Sequence, residues 1–293
     1  MRADMTDISV VMATYRQAEY LEEAMDSIAS QGVPNLKLIL VPSIGPIGYG
    51  HDPKTFKLLK KIAARYWEIL EVEWHEGKPN LWLQRQWGLY KGRFKFEKIT
   101  INGKEYHRTE DQANPYVSFF DSDDVMLPGW LDRGLKVAEE ITSRGNIPIV
   151  GPSYRMVDEK LRPIYWTKQT KEYFEMSGPD IILPEFSMDR MMNGCIIPDF
   201  SITTTEALRS VGGLFDPDGY DPGHPYFCYA TWLRLLKKYG SQVEVKLLPD
   251  IGFLYRQHRK GSHNRFQSKR HSAENVRRAR EVARHYFPEL GDG

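Results

Sequence analysis

The chain has 293 residues, of which 41% are hydrophobic, and a formal net charge of +1. This length and apolar content suit one large α/β domain or two small ones, with a real hydrophobic core. The near-neutral charge excludes a protein that binds polyanions over its whole surface and excludes an acidic tail protein.

The N-terminal segment alternates short apolar strands with amphipathic helices. Its composition predicts strands at residues 8–12, 36–41 and 69–74, and helices at residues 19–30 and 54–66. A βαβαβ order implies parallel strands joined by right-handed crossovers. The predicted fold class is therefore α/β, with a Rossmann-like, mainly parallel central sheet flanked by helices.

A β-hairpin interrupts this alternation. Residues 80–92 look helical, but residues 94–107 alternate in polarity and carry Asn102-Gly103 at their centre, a strong hairpin signal. We therefore predict an inserted β-hairpin around residues 94–107. Residues 116–120 then form another buried strand.

The C-terminal half has a less regular pattern. It predicts helices at residues 128–144, 206–211, 229–239 and 275–286, strands at 148–150 and 243–248, and a mixed loop over 155–190. No segment resembles a linker between independent domains. We predict one domain over 1–265, made of two halves (1–125 and 126–265) and followed by a basic helical tail (266–293).

The C-terminal segment is strongly basic. Residues 255–285 contain ten Lys or Arg against two Glu. Such a segment can meet phosphate, nucleic acid or an anionic membrane, or it can be a solvated helix.

The two cysteines and the N-terminus bear on the cellular compartment. Cys195 and Cys228 lie far apart and form no metal-binding spacing, which favours reduced thiols. The polar N-terminus has no signal-peptide pattern, and no apolar run approaches about 18 residues. These features predict a soluble cytoplasmic protein without a transmembrane segment.

An acidic run follows the buried strand at residues 116–120. Ligands of open α/β sheets bind at the carboxyl ends of strands, which is where Asp121, Asp123 and Asp124 lie. Two carboxylates one residue apart on an extended chain point to the same side, so Asp121 and Asp123 can converge on one ion. Hard cations such as Mg²⁺ and Mn²⁺ prefer oxygen ligands. The alternative is a solvated acidic turn that caps the next helix.

Five blocks of the sequence resemble family 2 glycosyltransferases, which have the GT-A fold and a DxD motif. The blocks are ISVVMATYRQAEYLEEAMDSIASQ, YVSFFDSDDVMLPGWLD, ITTTEALRSVGGLFDPD, WLRLLKKYG and YRQHRKGSH, and they occur in the family's order between residues 8 and 263. The resemblance implies a GT-A-like fold and a metal-dependent transferase, with a nucleotide-binding half (1–125) and an acceptor half (126–265).

The resemblance implies roles for individual positions. The implied donor-site residues are Ala13, Thr14 and Tyr15 at the base, Arg85 near the nucleotide, and Asp121 with Ser122 at the ribose or metal. Asp123 would ligate Mn²⁺ or Mg²⁺, with His258 as a further metal or diphosphate contact. Arg256 and Lys260 could add charge-assisted contacts to the donor.

Two departures from the family pattern affect these assignments. The carboxylate that usually reads the base after the second strand is missing, and residues 45–51 are the candidate substitute. The acidic pair that usually supplies the general base is replaced by Phe227 and Cys228. We predict Asp221 or His224 as the base. Asp199 and Asp218 are reserve candidates.

The predicted reaction is transfer of a hexosyl or pentosyl group from a nucleotide-diphosphate sugar to an acceptor hydroxyl, with inversion. The acceptor is a glycan, a lipid-linked molecule or a small molecule. Two alternatives stay open: a transferase acting on a modified base in nucleic acid, and a catalytically degenerate nucleotide-sugar-binding module. The sequence predicts neither the donor sugar nor the oligomeric state.

Overall fold

The computed structural model describes most of the chain. The described residues are 8–44, 52–66, 68–73, 75–76, 84–86, 88–89, 99–101, 104–106, 114–165, 175–222, 226–258 and 269–290. The predicted turn residues Asn102 and Gly103, the substitute base loop 45–51, His224 and Lys260 lie outside them.

The N-terminal half alternates strands and helices as predicted. Its elements are β1 (Ile8–Thr14), α1 (Ala18–Ala29), β2 (Leu36–Ile44), α2 (Pro53–Ile62), a 3₁₀ turn (Ala63–Tyr66), β3 (Leu70–Val72), β4 (His75–Glu76), β5 (Ile99–Ile101), β6 (Lys104–Tyr106), β7 (Tyr116–Asp121) and β8 (Val125–Met126). Residues 84–86 and 88–89 are also helical. β5 and β6 pair antiparallel, within the range where the sequence predicts a hairpin.

The C-terminal half adds the remaining elements. They are α3 (Trp130–Ser143), β9 (Ile147–Val157), β10 (Glu175–Ser177), β11 (Asp180–Ile182), α4 (Met188–Asn193), β12 (Ile202–Thr204), α5 (Thr205–Ser210), α6 (Phe227–Tyr239), a 3₁₀ turn (Gly240–Gln242), β13 (Val243–Arg256), α7 (Lys269–Tyr286) and a final 3₁₀ turn (Pro288–Leu290).

Eleven of the described strands form one sheet, in the order β10-β11-β9-β12-β7-β1-β2-β3, with β13, β8 and β4 pairing off this path. The strands β7, β1, β2 and β3 are parallel. β12 joins this part to β9 by antiparallel pairing on both sides. β13 then runs parallel to β9 and antiparallel to β8. The predicted α/β class with a Rossmann-like central sheet is confirmed.

The sheet is covered on both faces because successive strand residues point to opposite sides. Val11 of β1 belongs to one core cluster, while its neighbours Val10 and Met12 belong to the other. Helices α1, α2 and α3 cover the second cluster, and α5, α6 and α7 cover the first. Continuous apolar runs such as β1 are therefore buried on both faces.

The structure corrects the sequence analysis in the C-terminal half. Residues 155–190, predicted as a mixed loop, contain the end of β9 and all of β10 and β11. β13 continues to Arg256 rather than ending at 248, although its register against β9 shifts between Leu248 and Phe253. Pro249 and Asp250 are residues that usually end a strand, but β13 continues beyond them with a bulge-like irregularity.

Helix α7 packs onto the body of the protein. Its buried residues Ala279, Val282, Ala283 and Tyr286 recur at helical spacing and join the core cluster beneath α6. On its exposed side, Arg277 pairs with Glu274 and Glu281. Among the helices of the described residues, none combines the length and apolarity needed to cross a membrane.

Candidate functional site

Three carboxylates cluster where β7 ends. Asp121 is the last residue of β7, and the chain turns through Asp123 and Asp124 into β8, with the Asp124 amide 3.3 Å from the Asp121 carbonyl oxygen. One oxygen from each of the three side chains lies within 4.8 Å of the others. This spacing allows the three to share one cation.

Burial and mutual repulsion disfavour the ionised form of this cluster. Asp124 is 1% exposed, and desolvation together with the charges of Asp123 and Asp121 raises its pKa well above the usual range. Desolvation also raises the pKa of Asp121, although Arg85 opposes the shift. The buried Asp124 Oδ2 has no hydrogen-bond partner among the described residues. A divalent cation would satisfy this oxygen and offset the repulsion.

Two side chains orient Asp123. His258, just after β13, has its Nε2 2.8 Å from Asp123 Oδ2, and Gln17 Nε2 donates to the same oxygen at 3.0 Å. The His258 ring also lies against Tyr20, with 5.1 Å between ring centroids. The structure thus brings together Asp121, Asp123 and His258, the three residues proposed from sequence as metal ligands.

Arg256 lies beneath the acidic turn and contacts protein groups. It is 3% exposed. Its Nε donates to the Asp123 carbonyl oxygen at 2.5 Å, its Nη1 to the Glu159 carbonyl oxygen at 2.8 Å, and its Nη2 pairs with Glu23. Its backbone amide donates to Asp124 Oδ1 at 2.8 Å. Arg256 therefore fixes the shape of the turn. The donor contact that the sequence suggests for Arg256 stays a prediction.

Arg85 joins the acidic cluster to a more distant carboxylate. It is fully buried, its Nη2 donates to Asp121 Oδ1 at 2.6 Å, and its Nη1 donates to Asp199 Oδ2 at 3.0 Å. Nη1 also lies 3.6 Å from Cys228 Sγ. Burial alone would lower the pKa of Arg85, but Asp121 and Asp199 raise it above its ordinary value. The guanidinium stays charged and holds the two carboxylates at a set separation.

The residues predicted to meet the base end β1 beside this cluster. Ala13 pairs in register with Asp121, and the Thr14 carbonyl accepts from Gln84 Nε2 at 3.0 Å. Arg16 lies over the ring of Tyr15, 4.9 Å from its centroid. Ser122 is buried within the acidic turn. These positions share with the carboxylates the sheet edge at which ligands of open α/β sheets bind.

An open cavity of about 200 Å³ adjoins the acidic cluster. Its lining residues are Asp121, Tyr154, Leu183, Cys195, Ile196, Pro198, Asp199, Phe200 and Tyr255. Apolar and aromatic side chains share the lining with exposed polar atoms, and both lining carboxylates, Asp121 and Asp199, contact Arg85. A cavity that combines apolar walls with convergent polar groups is typical of a ligand site.

The candidate bases occupy different surroundings. Asp221 and Asp218 are exposed. Tyr220, next to Asp221, has its ring parallel to that of His285 on α7. Asp199 instead lines the cavity.

Two contributors to the site were not assigned from sequence. Asp124 directly follows Asp123 in the acidic run, and this position could have indicated that it belongs to the same site. Gln17 precedes α1 and is remote in sequence from Asp123, and no local pattern indicates their contact.

The chain resembles glycosyltransferases in both sequence and structure. No model of a known protein family matches it. An uncharacterized glycosyltransferase of Rickettsia typhi is 21% identical over 240 residues, covering 82% of this chain. The chain spans 63% of the length of that relative.

Solved structures cover nearly the whole chain. S. aureus TarS matches 98% of this chain and 40% of its own, with a TM-score of 0.57 and 14% identity. Residues 1–349 of TarS bound to UDP-GlcNAc match 98% of this chain and 76% of that one, at a TM-score of 0.55 and 14% identity. The mannosyltransferase PcManGT from Pyrobaculum calidifontis, bound to GDP-Man and Mn²⁺, matches 99% of this chain and 77% of its own. Its TM-score is 0.54 and its sequence identity is 11%. The predicted GT-A-like fold is confirmed.

Proposed function

We propose that this protein transfers a sugar from a nucleoside-diphosphate sugar to an acceptor hydroxyl. The main support is the cluster of Asp121, Asp123 and Asp124 at the carboxyl edge of the sheet. The fold around this cluster is similar to that of glycosyltransferases solved with UDP-GlcNAc or GDP-Man. The glycosyltransferase relative in Rickettsia typhi supports the same reaction class. The transferred group is a hexose or pentose in this proposal.

A divalent cation, Mn²⁺ or Mg²⁺, belongs to this proposal. Asp121 and Asp123 would hold it, with Asp124 and His258 beside them, since oxygen-rich acidic sites suit hard cations. The buried, unsatisfied Asp124 oxygen fits a site completed by a positive charge. When bound, the ion supplies Lewis-acid neutralisation of the leaving diphosphate.

The protein's own residues position the reactants. Ala13, Thr14 and Tyr15 would line the base, and Ser122 the ribose. Arg85 would act on the donor through Asp121, whose carboxylate it fixes. A single displacement at the anomeric carbon inverts its configuration, and the acceptor must then approach from the side opposite the diphosphate.

The two alternative functions receive less support. Helix α7 carries much of the basic charge that prompted the nucleic-acid alternative, but Arg277 and Arg278 pair there with neighbouring glutamates. A degenerate binding module would bind nucleotide without turnover. Turnover therefore separates it from an enzyme.

The first experiment measures nucleotide binding by thermal shift, using UDP and GDP with and without Mn²⁺. A ligand at 100 times its Kd adds about 2.7 kcal/mol to the free energy of unfolding. We expect wild-type protein to gain this stabilisation from one nucleotide with Mn²⁺, and Asp123→Asn to lose most of it. Asp132→Asn, which removes an exposed carboxylate from α3, is the matched control.

The second experiment measures release of nucleoside diphosphate from UDP-GlcNAc, UDP-glucose and GDP-mannose, with and without simple glycosides as acceptors. Metal-dependent release that Asp123→Asn abolishes supports transfer. Tight nucleotide binding without release from any donor would instead identify a binding module. Absence of both binding and release would refute the proposal.

A further inference from the structure

The position of the missing acidic pair lies next to a carboxylate from another segment. Helix α6 begins with Phe227 and Cys228, where the resembling family has its general base. Cys228 is 1% exposed and lies 3.6 Å from Arg85 Nη1. The same nitrogen donates to Asp199 Oδ2 at 3.0 Å. Asp199 and Cys228 therefore flank one guanidinium nitrogen.

Asp199 is accessible where Cys228 is not. The Asp199 side chain keeps 32% of its surface exposed and lines the cavity beside Asp121. Arg85 contacts Asp121 through Nη2 and Asp199 through Nη1. One rigid, planar group thus sets the distance between the acidic cluster and the second carboxylate.

The other titratable groups that line the cavity are unsuited to accept a proton. Burial raises the pKa of the Cys195 thiol and of the Tyr154 and Tyr255 phenols, so all three stay protonated near neutral pH. Asp121 also lines the cavity, but it is one of the proposed metal ligands. Asp199 is therefore the remaining carboxylate in the lining that can act as a base.

We propose that Asp199 is the general base of the glycosyl transfer and that the cavity receives the acceptor hydroxyl. This inference rests on the proposed function. The acceptor O–H proton moves to the Asp199 carboxylate as the acceptor oxygen bonds to the anomeric carbon. The bond between that carbon and the diphosphate oxygen breaks, and its electron pair leaves with the diphosphate.

The cavity also defines the class of the acceptor's reacting end. Tyr154, Phe200 and Tyr255 supply an aromatic and apolar wall, while Asp121 and Asp199 supply negative charge. Aromatic faces beside hydrogen-bond acceptors suit a hydroxyl-bearing ring such as a pyranose. An ionised phosphate or carboxylate carries no proton for Asp199 to accept, whereas a hydroxyl does. The reacting end of the acceptor is therefore an uncharged sugar or polyol.

Asp199→Asn tests this role because the amide keeps the shape and an oxygen for Arg85 but loses basicity. We expect diphosphate release from the donor that wild type uses to fall about 10²–10⁴-fold. Binding of UDP or GDP with Mn²⁺, measured by titration calorimetry, should change by less than about threefold. The matched control is Asp180→Asn, which removes another arginine-paired carboxylate that is not part of the cavity lining.

Keeping a carboxylate at position 199 gives a second test. We expect Asp199→Glu to release diphosphate at least tenfold faster than Asp199→Asn, because glutamate keeps a group in the cavity that can accept the proton. Thermal melting of each variant checks that it is folded.

The outcomes separate the base assignment from the reaction class. Near-wild-type release by Asp199→Asn overturns the assignment, as does a larger loss for Asp221→Asn. Loss of nucleotide binding in Asp199→Asn also overturns it, since the residue would then support the donor site. If wild type binds no nucleotide and releases no diphosphate, the proposed function itself fails, and the base assignment falls with it.

Discussion

Two buried arginines hold the acidic cluster from different sides and by different means. Arg85 contacts side-chain carboxylates, those of Asp121 and Asp199. Arg256 contacts mainly backbone, the carbonyl oxygens of Asp123 and Glu159, and one carboxylate, Glu23. The first arginine therefore balances charge across the site, and the second fixes the path of the turn.

Loss of Arg85 should therefore cost more stability than loss of Arg256. Without Arg85, the partly buried carboxylates of Asp121 and Asp199 would both line the cavity, and each would lack its cation. Without Arg256, two carbonyl groups would lose a donor, but Glu23 is nearly half exposed and can be solvated. Buried charge is costly when unpaired, whereas an exposed carboxylate is not.

The largest expected effect on stability comes from Arg85→Met. Removing one partner of a buried ion pair costs about 3–5 kcal/mol. Urea unfolding should show a lower midpoint with an unchanged slope. Arg85→Lys, which keeps the charge but cannot bridge both carboxylates in the same way, should cost less. A loss below about 1 kcal/mol for Arg85→Met would mean that water already screens this pair.

Repeating Arg85→Met in the Asp199→Asn background sharpens the comparison. If the two side chains are coupled, the cost of losing Arg85 should fall by about 0.5–3 kcal/mol. Additive costs would contradict the coupling.

Arg256→Met should have an intermediate effect. Leaving a buried acceptor unsatisfied costs about 1–3 kcal/mol, and the two carbonyls are only partly buried, so we expect a total near 2–3 kcal/mol. Denaturant unfolding measures it. Arg155→Met, which breaks a more exposed pair with Asp180, is the control and should cost about 1 kcal/mol or less. Equal costs for the two variants would show that the backbone contacts of Arg256 add little.

Glu23→Gln should have the smallest effect. The Glu23 side chain is 47% exposed, and the amide keeps an oxygen for Arg256, so the change should be below about 1 kcal/mol. The same unfolding assay detects it. A loss as large as that of Arg256→Met would show that Arg256 depends on charge pairing rather than on the carbonyls.

The sequence predicted local features well and long-range ones poorly. β1 and β7 are short apolar runs with a clear boundary, and the acidic run after β7 stands out against them. β12 was missed because it too has three residues, although isoleucine and threonine both favour strands. β10 and β11 were missed because each has three residues, which are too few to show a period. Such strands exist only because longer neighbours pair with them.

The C-terminal helix has both a basic composition and an apolar periodicity, and the periodicity is the feature that predicts its packing. Residues 255–285, which include most of this helix, contain ten Lys or Arg against two Glu, and this excess indicates an anionic partner. The apolar residues Ala279, Val282, Ala283 and Tyr286 recur at helical spacing, and they are buried. Helical periodicity predicts burial better than net charge does, because a charged face and a buried face coexist on one helix.

The sequence by itself determined that an α/β sheet ends on three aspartates, because strand propensity and the acidic run are local properties of neighbouring residues. Only the tertiary structure decided which groups meet those aspartates. Gln17, Arg85, Asp199 and His258 come from four separate segments, and their contacts depend on how the strands pair and how the helices cover them. Nearness along the chain favoured Asp221 as the base, whereas the packed structure brings Asp199 to Arg85, because residues far apart in sequence become neighbours only when the sheet is assembled.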